Sequence, residues 1–193
     1  MMRILGLLAM CLILVACVGP VLADDVTIGS AENPIELNGL GASYEAEHAD
    51  AAPFKGWAFV TVKNTGSEAW GDFHFKIFAY PGGSSDISQV SFLDSSMQDS
   101  LGVWGYDPIS TQSSTTWTID NTVVGAEMSL YFYSDPLAPG EVATFSVYTD
   151  NTASQANFGL MMWPSPVVPE PASMLALSTG LIGLVGFMLK KRQ

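Results

Sequence analysis

The feature that most constrains this chain is a train of short apolar stretches, each cut off by turn-forming residues. Asp72 to Tyr80 (DFHFKIFAY) alternates, with Phe73, Phe75 and Ile77 on one side and His74, Lys76 and Phe78 on the other, and Pro81-Gly82-Gly83 ends it. Gly56 to Lys63 (GWAFVTVK) is aromatic and β-branched and ends at Asn64-Thr65-Gly66. Ile87–Leu93, Thr115–Ile119, Ala126–Tyr133, Val142–Thr149 and Phe158–Met162 repeat the pattern, and shorter strands are expected at Val26–Ile28 and Ile35–Leu40. A side-chain period of two with Gly, Pro, Asn, Asp or Ser at each end is the signature of strands, and many such strands at close spacing predict an antiparallel sandwich or barrel. No stretch of this body keeps a helical period with caps. Asn-Thr follows three of the strands, at Asn64, Asn121 and Asn151, as expected of side chains that bond their own backbone two residues on.

The two ends obey a different rule. Met1-Met2-Arg3 is a short basic head, Ile4 to Val18 is uncharged and apolar, and Gly19-Pro20 breaks it ahead of Val21-Leu22-Ala23. That is a secretory signal, residues 1–23, cut by signal peptidase after Ala23. Leu14-Val15-Ala16-Cys17 also has the form of a lipobox, which would make a lipidated Cys17 the new N-terminus. At the other end, Ala172 to Leu189 gives eighteen uncharged residues. As a helix they would span about 27 Å, enough to cross most of a hydrocarbon core of about 30 Å. Lys190, Lys191 and Arg192 follow, and clustered basic residues stay on the cytoplasmic side. The expected precursor therefore has its body outside, residues 24–165, and a membrane segment within 166–193.

Val168-Pro169-Glu170-Pro171, the apolar helix 172–189 and the basic tail 190–193, in that order, resemble the PEP-CTERM sorting signal. The resemblance implies a membrane-embedded exosortase-type protease as partner, with Pro169, Glu170 and Pro171 as the motif it reads. It also implies removal of the tail and export to the cell surface or extracellular matrix of bacteria that make exopolysaccharide and biofilm. The two prolines keep the segment extended, a form that a protease cleft accepts. Within the body, VTVKNTGSEAW and LAPGEVATFSVYT resemble strand-turn segments of bacterial immunoglobulin-like adhesion modules. The fold expected is thus an all-β, antiparallel, immunoglobulin-like β-sandwich, flanked by the signal peptide and the C-terminal transmembrane helix.

Charge narrows the partners. Between Asp24 and Val168 the three lysines, Lys55, Lys63 and Lys76, face eighteen carboxylates, a net charge of −15. That excess disfavours nucleic acid and anionic lipid. Both cysteines, Cys11 and Cys17, lie in the signal, so a chain cut after Ala23 has no thiol, disulfide or cysteine metal site.

Nothing in the body has the pattern of a catalytic centre. HExxH, GxSxG, SxxK and Walker motifs are absent. His48 sits among Glu45, Glu47 and Asp50, which reads as a solvated acidic segment, and His74 as a surface residue beside Lys76. Asp94, Asp99 and Asp107 match no Ca²⁺ loop. The expectation is no catalytic residue, no metal and no cofactor. Among the five tryptophans, Trp57 and Trp117 fall in strands and are expected to fill the core, whereas Trp70 and Trp104 fall in loops and are the candidates for stacking on sugar rings. The function expected is a structural or adhesive role in exopolysaccharide or biofilm. The alternatives are a carbohydrate-binding module and a polysaccharide-acting enzyme.

Overall fold

The computed structural model describes residues 25–39, 41–48, 52–83 and 86–166. The expected signal peptide with Cys17, the expected transmembrane helix and the basic tail lie outside the described residues.

Among the described residues eleven strands form two sheets. They are β1 (Val26–Ile28), β2 (Ile35–Leu37), β3 (Tyr44–His48), β4 (Lys55–Asn64), β5 (Trp70–Phe78), β6 (Ser91–Phe92), β7 (Ile109–Ser110), β8 (Thr116–Asp120), β9 (Glu127–Tyr131), β10 (Val142–Asp150) and β11 (Phe158–Pro166). The first sheet is built on the antiparallel pair β4 and β10, with β1 and β2 along the free side of β4 and β6 and β7 along that of β10. The second runs β3-β11-β5-β9-β8. The described residues hold no helix.

The sandwich is not wholly antiparallel, because β1 and β2 both pair with β4 in parallel. Two pieces share one partner because the chain leaves the sheet between them. Gly29 makes the exit at φ +74°, and a β-carbon there would lie 2.5 Å from the Thr61 carbonyl oxygen. A reciprocal pair of backbone bonds between Ser30 and Asn33 closes the excursion.

Parity sorts the side chains. Ala58, Val60 and Val62 of β4, Phe73, Phe75 and Ile77 of β5, Ala143, Phe145 and Val147 of β10, and Phe158, Leu160 and Met162 of β11 face inward and are buried. The sheets meet where Phe73 stacks on Phe145 at 4.8 Å between ring centroids, with Phe132 on the same ring at 5.5 Å. Such rings contribute burial and a directional ring–ring term together.

The two ends of the sandwich are distinct. Asn64, at the end of β4, donates from Nδ2 to the Leu137 carbonyl, and Leu137 forms a two-bond bridge with Trp70. Pro166, the last residue of β11, pairs with Trp70 at this end. Lys55, Asp150, Phe78 and Gly159 mark the opposite end. Asn64 accepts from the Gly66 amide two residues on, as its turn role requires. The other two Asn-Thr pairs divide the work differently. Asp120 and Asp150 take the Thr122 and Thr152 amides, while Asn121 clamps the backbone of Phe92 and Asn151 that of Ala156.

Candidate functional site

Trp70 is the first correction. It lies in β5 at 0% exposure and cannot meet a ligand. Ser165 pairs with Asp72 and Pro166 with Trp70, so Gly71 is an extra residue, a bulge that turns the indole onto the core face. Trp57 is the second. It sits half-buried on the outer face of the first sheet, opposite in parity to Ala58 and Val60. Trp117 behaves as expected, packing against the core, and its Nε1 donates to Asp94 at 3.0 Å. Trp104 is exposed, at 55%.

Trp104 belongs to a loop between β6 and β7 that crosses the outer face of the first sheet. Three carboxylates shape it. Asp94 accepts from the Ser96 amide and hydroxyl on one oxygen and from Trp117 on the other. Burial raises the Asp94 pKa, but the bonds from Ser96, Trp117 and Met97 together outweigh it and hold the group below its ordinary value. Asp107 accepts from the Ser95 amide at 3.0 Å. Asp99 Oδ1 accepts from the Leu101 and Val103 amides, both at 2.8 Å, and the same carboxylate forms a buried ion pair with Lys55 at the start of β4. The irregular, Asp-rich segment is thus a braced loop, and its acids are turn-makers.

What the braces hold up is apolar. Leu101, Val103, Trp104, Tyr106 and Ile109 are all more than half exposed. Tyr106 folds back onto the sheet, where its ring lies 5.7 Å from Trp57 and 5.0 Å from Tyr148. Trp57 in turn stacks on Phe59 at 6.0 Å and meets Tyr148 edge-on at 5.4 Å. The result is a run of ring contacts, Phe59 to Trp57 to Tyr106, with Tyr148 beside Trp57 on the neighbouring strand and against Tyr106. The Lys55–Asp99 pair places this loop toward the end of the sandwich opposite Pro166.

The outer face of the second sheet carries the other concentration of polar chemistry. His74 Nδ1 lies 2.8 Å from Ser129 Oγ and Nε2 lies 2.9 Å from Ser165 Oγ, and the imidazole stacks on Trp163 at 5.3 Å. Asp72 Oδ1 is 3.5 Å from the same Nε2 that meets Ser165, not from the opposite nitrogen. Ser129 and Asp72 approach different ring nitrogens, as a serine–histidine–carboxylate relay requires, but 3.5 Å is too long for the hydrogen bond that would orient the ring, and Ser165 already holds that nitrogen at 2.9 Å. Here both nitrogens are taken by hydroxyls, and the histidine ties β5 to β9 and β11 as a cross-strand brace. Tyr133 donates to Asp72 Oδ2 at 3.1 Å, and burial followed by the Asp72 charge pushes its pKa up to about 12.

His48 departs from its expected solvated setting. It is buried on the inner side of β3, edge-on to Phe158 at 4.9 Å, while Glu45 and Glu47 face out. Among the described residues no group of three or more His, Cys, Asp or Glu side chains is placed to hold a metal ion.

Comparison with known proteins bears on the end of the chain. No curated protein and no solved structure matches, so the resemblance of the body to immunoglobulin-like modules is not confirmed. One family model does match, the PEP-CTERM protein-sorting motif, over residues 167–192. The match begins one residue after Pro166, the last residue of β11. The chain therefore carries a PEP-CTERM sorting signal directly behind its β-sandwich, which identifies an exported protein made as a membrane-anchored precursor and sorted to the surface by exosortase.

Proposed function

We propose that this protein is a non-enzymatic structural or adhesive component of the exopolysaccharide-rich surface or biofilm matrix. Signal peptidase would release its N-terminus after Ala23, and exosortase would free it from its membrane tail. The observation that carries this reading is the placement of the apolar loop. The sorting signal begins at the Pro166 end of the sandwich, and Leu101, Val103, Trp104 and Tyr106 are displayed toward the other end. A tethered precursor would hold that loop away from the bilayer. Exposed apolar side chains gathered on one loop are a mark of an interaction surface. Sorting chemistry would fall on Pro169, Glu170 and Pro171, with Lys190, Lys191 and Arg192 retained inside until cleavage.

The test is in cells. Leu101→Ser combined with Val103→Ser should leave the amount of protein at the surface unchanged and weaken cohesion of the matrix. Unchanged cohesion with normal surface levels would contradict the adhesive role. A carbohydrate-binding module is the second reading, favoured by the aromatic line beside Trp104. The enzymatic alternative would need Asp72 to orient the His74 ring, and at 3.5 Å the carboxylate makes no hydrogen bond to it.

A further inference from the structure

We infer that the outer face of the first sheet binds an uncharged polysaccharide chain, laid along Phe59, Trp57 and Tyr106 and capped by Trp104. The inference deepens the adhesive reading above and rests on it for biological setting only.

Three observations converge. The first is spacing. Phe59 to Trp57 and Trp57 to Tyr106 are successive centroid steps of 6.0 and 5.7 Å, each of the order of one pyranose ring. Trp104 stands two residues before Tyr106 in the same extended segment and is exposed, as is Tyr106 at 54%. The C–H face of a sugar stacks on an aromatic ring because it is apolar and the ring face carries partial negative charge. The second is rigidity. Tyr148 packs against both Trp57 and Tyr106, and Asp94, Asp99 and Asp107 fix the loop, so little side-chain freedom is lost when a ligand docks. Hydroxyl partners stand along the strip. Asp25 accepts from the Trp57 amide, exposed Thr27 pairs with Phe59 in register, and Asp107 is exposed.

The third is charge. Each lysine of the body already faces a carboxylate: Lys55 with Asp99, Lys63 with Glu36 at 3.8 Å, and Lys76 with Glu127 at 2.5 Å. A uronate or sulfated sugar would approach a domain of net charge −15 and find no uncommitted lysine to receive it. The chemistry that fits is a neutral chain, held by ring stacking and by hydroxyls donating to carboxylates.

The experiment uses the full chain purified in detergent and follows intrinsic tryptophan fluorescence during titration. The probes are soluble neutral glucan, mannan and xylan oligosaccharides, with polygalacturonate as the acidic comparison. At least one neutral chain is expected to give a saturable change that persists at raised salt, and polygalacturonate none. Trp104→Ala should weaken binding about tenfold while thermal unfolding stays where it was, and Tyr106→Ala, which also loses the ring contacts to Trp57 and Tyr148, should weaken it about tenfold with a somewhat lower unfolding temperature. Trp57→Phe, which keeps a ring, should weaken it less. No response to any neutral chain, a preference for polygalacturonate, or unchanged binding by both alanine variants would overturn the inference. If glycan binding fails but the Leu101→Ser, Val103→Ser cells still lose cohesion, the partner is a protein and only the ligand class falls. If binding holds and cohesion is untouched, the glycan site stands and the adhesive role falls.

Discussion

Lys55 and Asp99 form an ion pair in which both side chains are buried, joining the first residue of β4 to the loop that carries Trp104 and Tyr106. The Lys55 ammonium meets Asp99 at Oδ2, while Oδ1 accepts two backbone amides. Removing one member strands the other charge away from water. Lys55→Met is expected to cost about 3–5 kcal/mol in urea denaturation, and Asp99→Ala at least as much because it also frees the Leu101 and Val103 amides. Lys55→Met combined with Asp99→Leu should be less damaging than the two single changes summed, because no unpaired charge remains. A strictly additive pair would show that the two groups do not depend on each other.

Trp70 and Trp104 should behave as opposites. Trp70→Ala opens a large cavity in the core and should cost about 3–5 kcal/mol. Trp70→Phe should cost much less, since the indole N–H meets no acceptor among the described residues. Trp104→Ala should change stability by no more than about 0.5 kcal/mol. Thermal unfolding of the three variants separates a core residue from a displayed one directly.

The depressed carboxylates set the acid limit. Asp94, Asp86, Asp120 and Asp135 all sit below the ordinary value of 3.8. For Asp94 the hydrogen bonds outweigh an opposing burial effect. For Asp86 and Asp120 the leading cause is a side-chain hydroxyl, and for Asp135 a backbone amide. A group whose folded pKa is lowered contributes stability above its unfolded value and loses it as pH falls through the folded one. Stability should therefore hold down to about pH 4 and decline below it, and Asp94→Asn should flatten that decline. Tyr133 acts at the other extreme. Its raised value means stability is intact below the ordinary 10.0 and is lost as pH climbs through about 12. Tyr133→Phe should remove a late-titrating phenol from the ultraviolet absorbance curve.

Strand periodicity was legible where one face is apolar and the other mixed. β1, β4, β8, β10 and the core of β5 stand within a residue or two of where alternation places them. It failed where another force decides. Tyr44–His48 alternates acids with half-apolar residues, and the run of Glu45 and Glu47 reads as solvent when only the far side is buried. Ile87–Leu93 is apolar enough for a full strand but turns at Ile87–Val90 and pairs only at Ser91–Phe92, where Asn121 grips the backbone. The bulge at Gly71 reverses the side on which Trp70 falls, and no local pattern announces it. The aromatic line was partly readable. Trp57 and Phe59 share one parity against Ala58, Val60 and Val62, so GWAFVTVK has two apolar faces and only one of them can line a core. Tyr106 and Tyr148 join it only through the tertiary path of a loop, which spacing along the chain does not encode.

Glu170 stands four residues past the end of β11 in the sequence and within the matched sorting motif, so its substitution is aimed at the signal. Glu170→Ala is expected to leave signal-peptide removal intact and to accumulate the full-length, membrane-bound precursor. Maturation at the normal rate, followed by immunoblot of cell and supernatant fractions, would show that the carboxylate is not read.

The central claim is that a complete β-sandwich is delivered to the surface and its C-terminal segment discarded. All eleven described strands end by Pro166, and the sorting signal starts at the next residue. The most direct measurement is mass spectrometry of the C-terminal peptide of the protein recovered from the cell surface and culture supernatant. A terminus near Pro169-Glu170-Pro171, with the apolar segment and Lys190-Lys191-Arg192 gone, is the predicted result. A mature surface protein that still ends in the intact basic tail would contradict it.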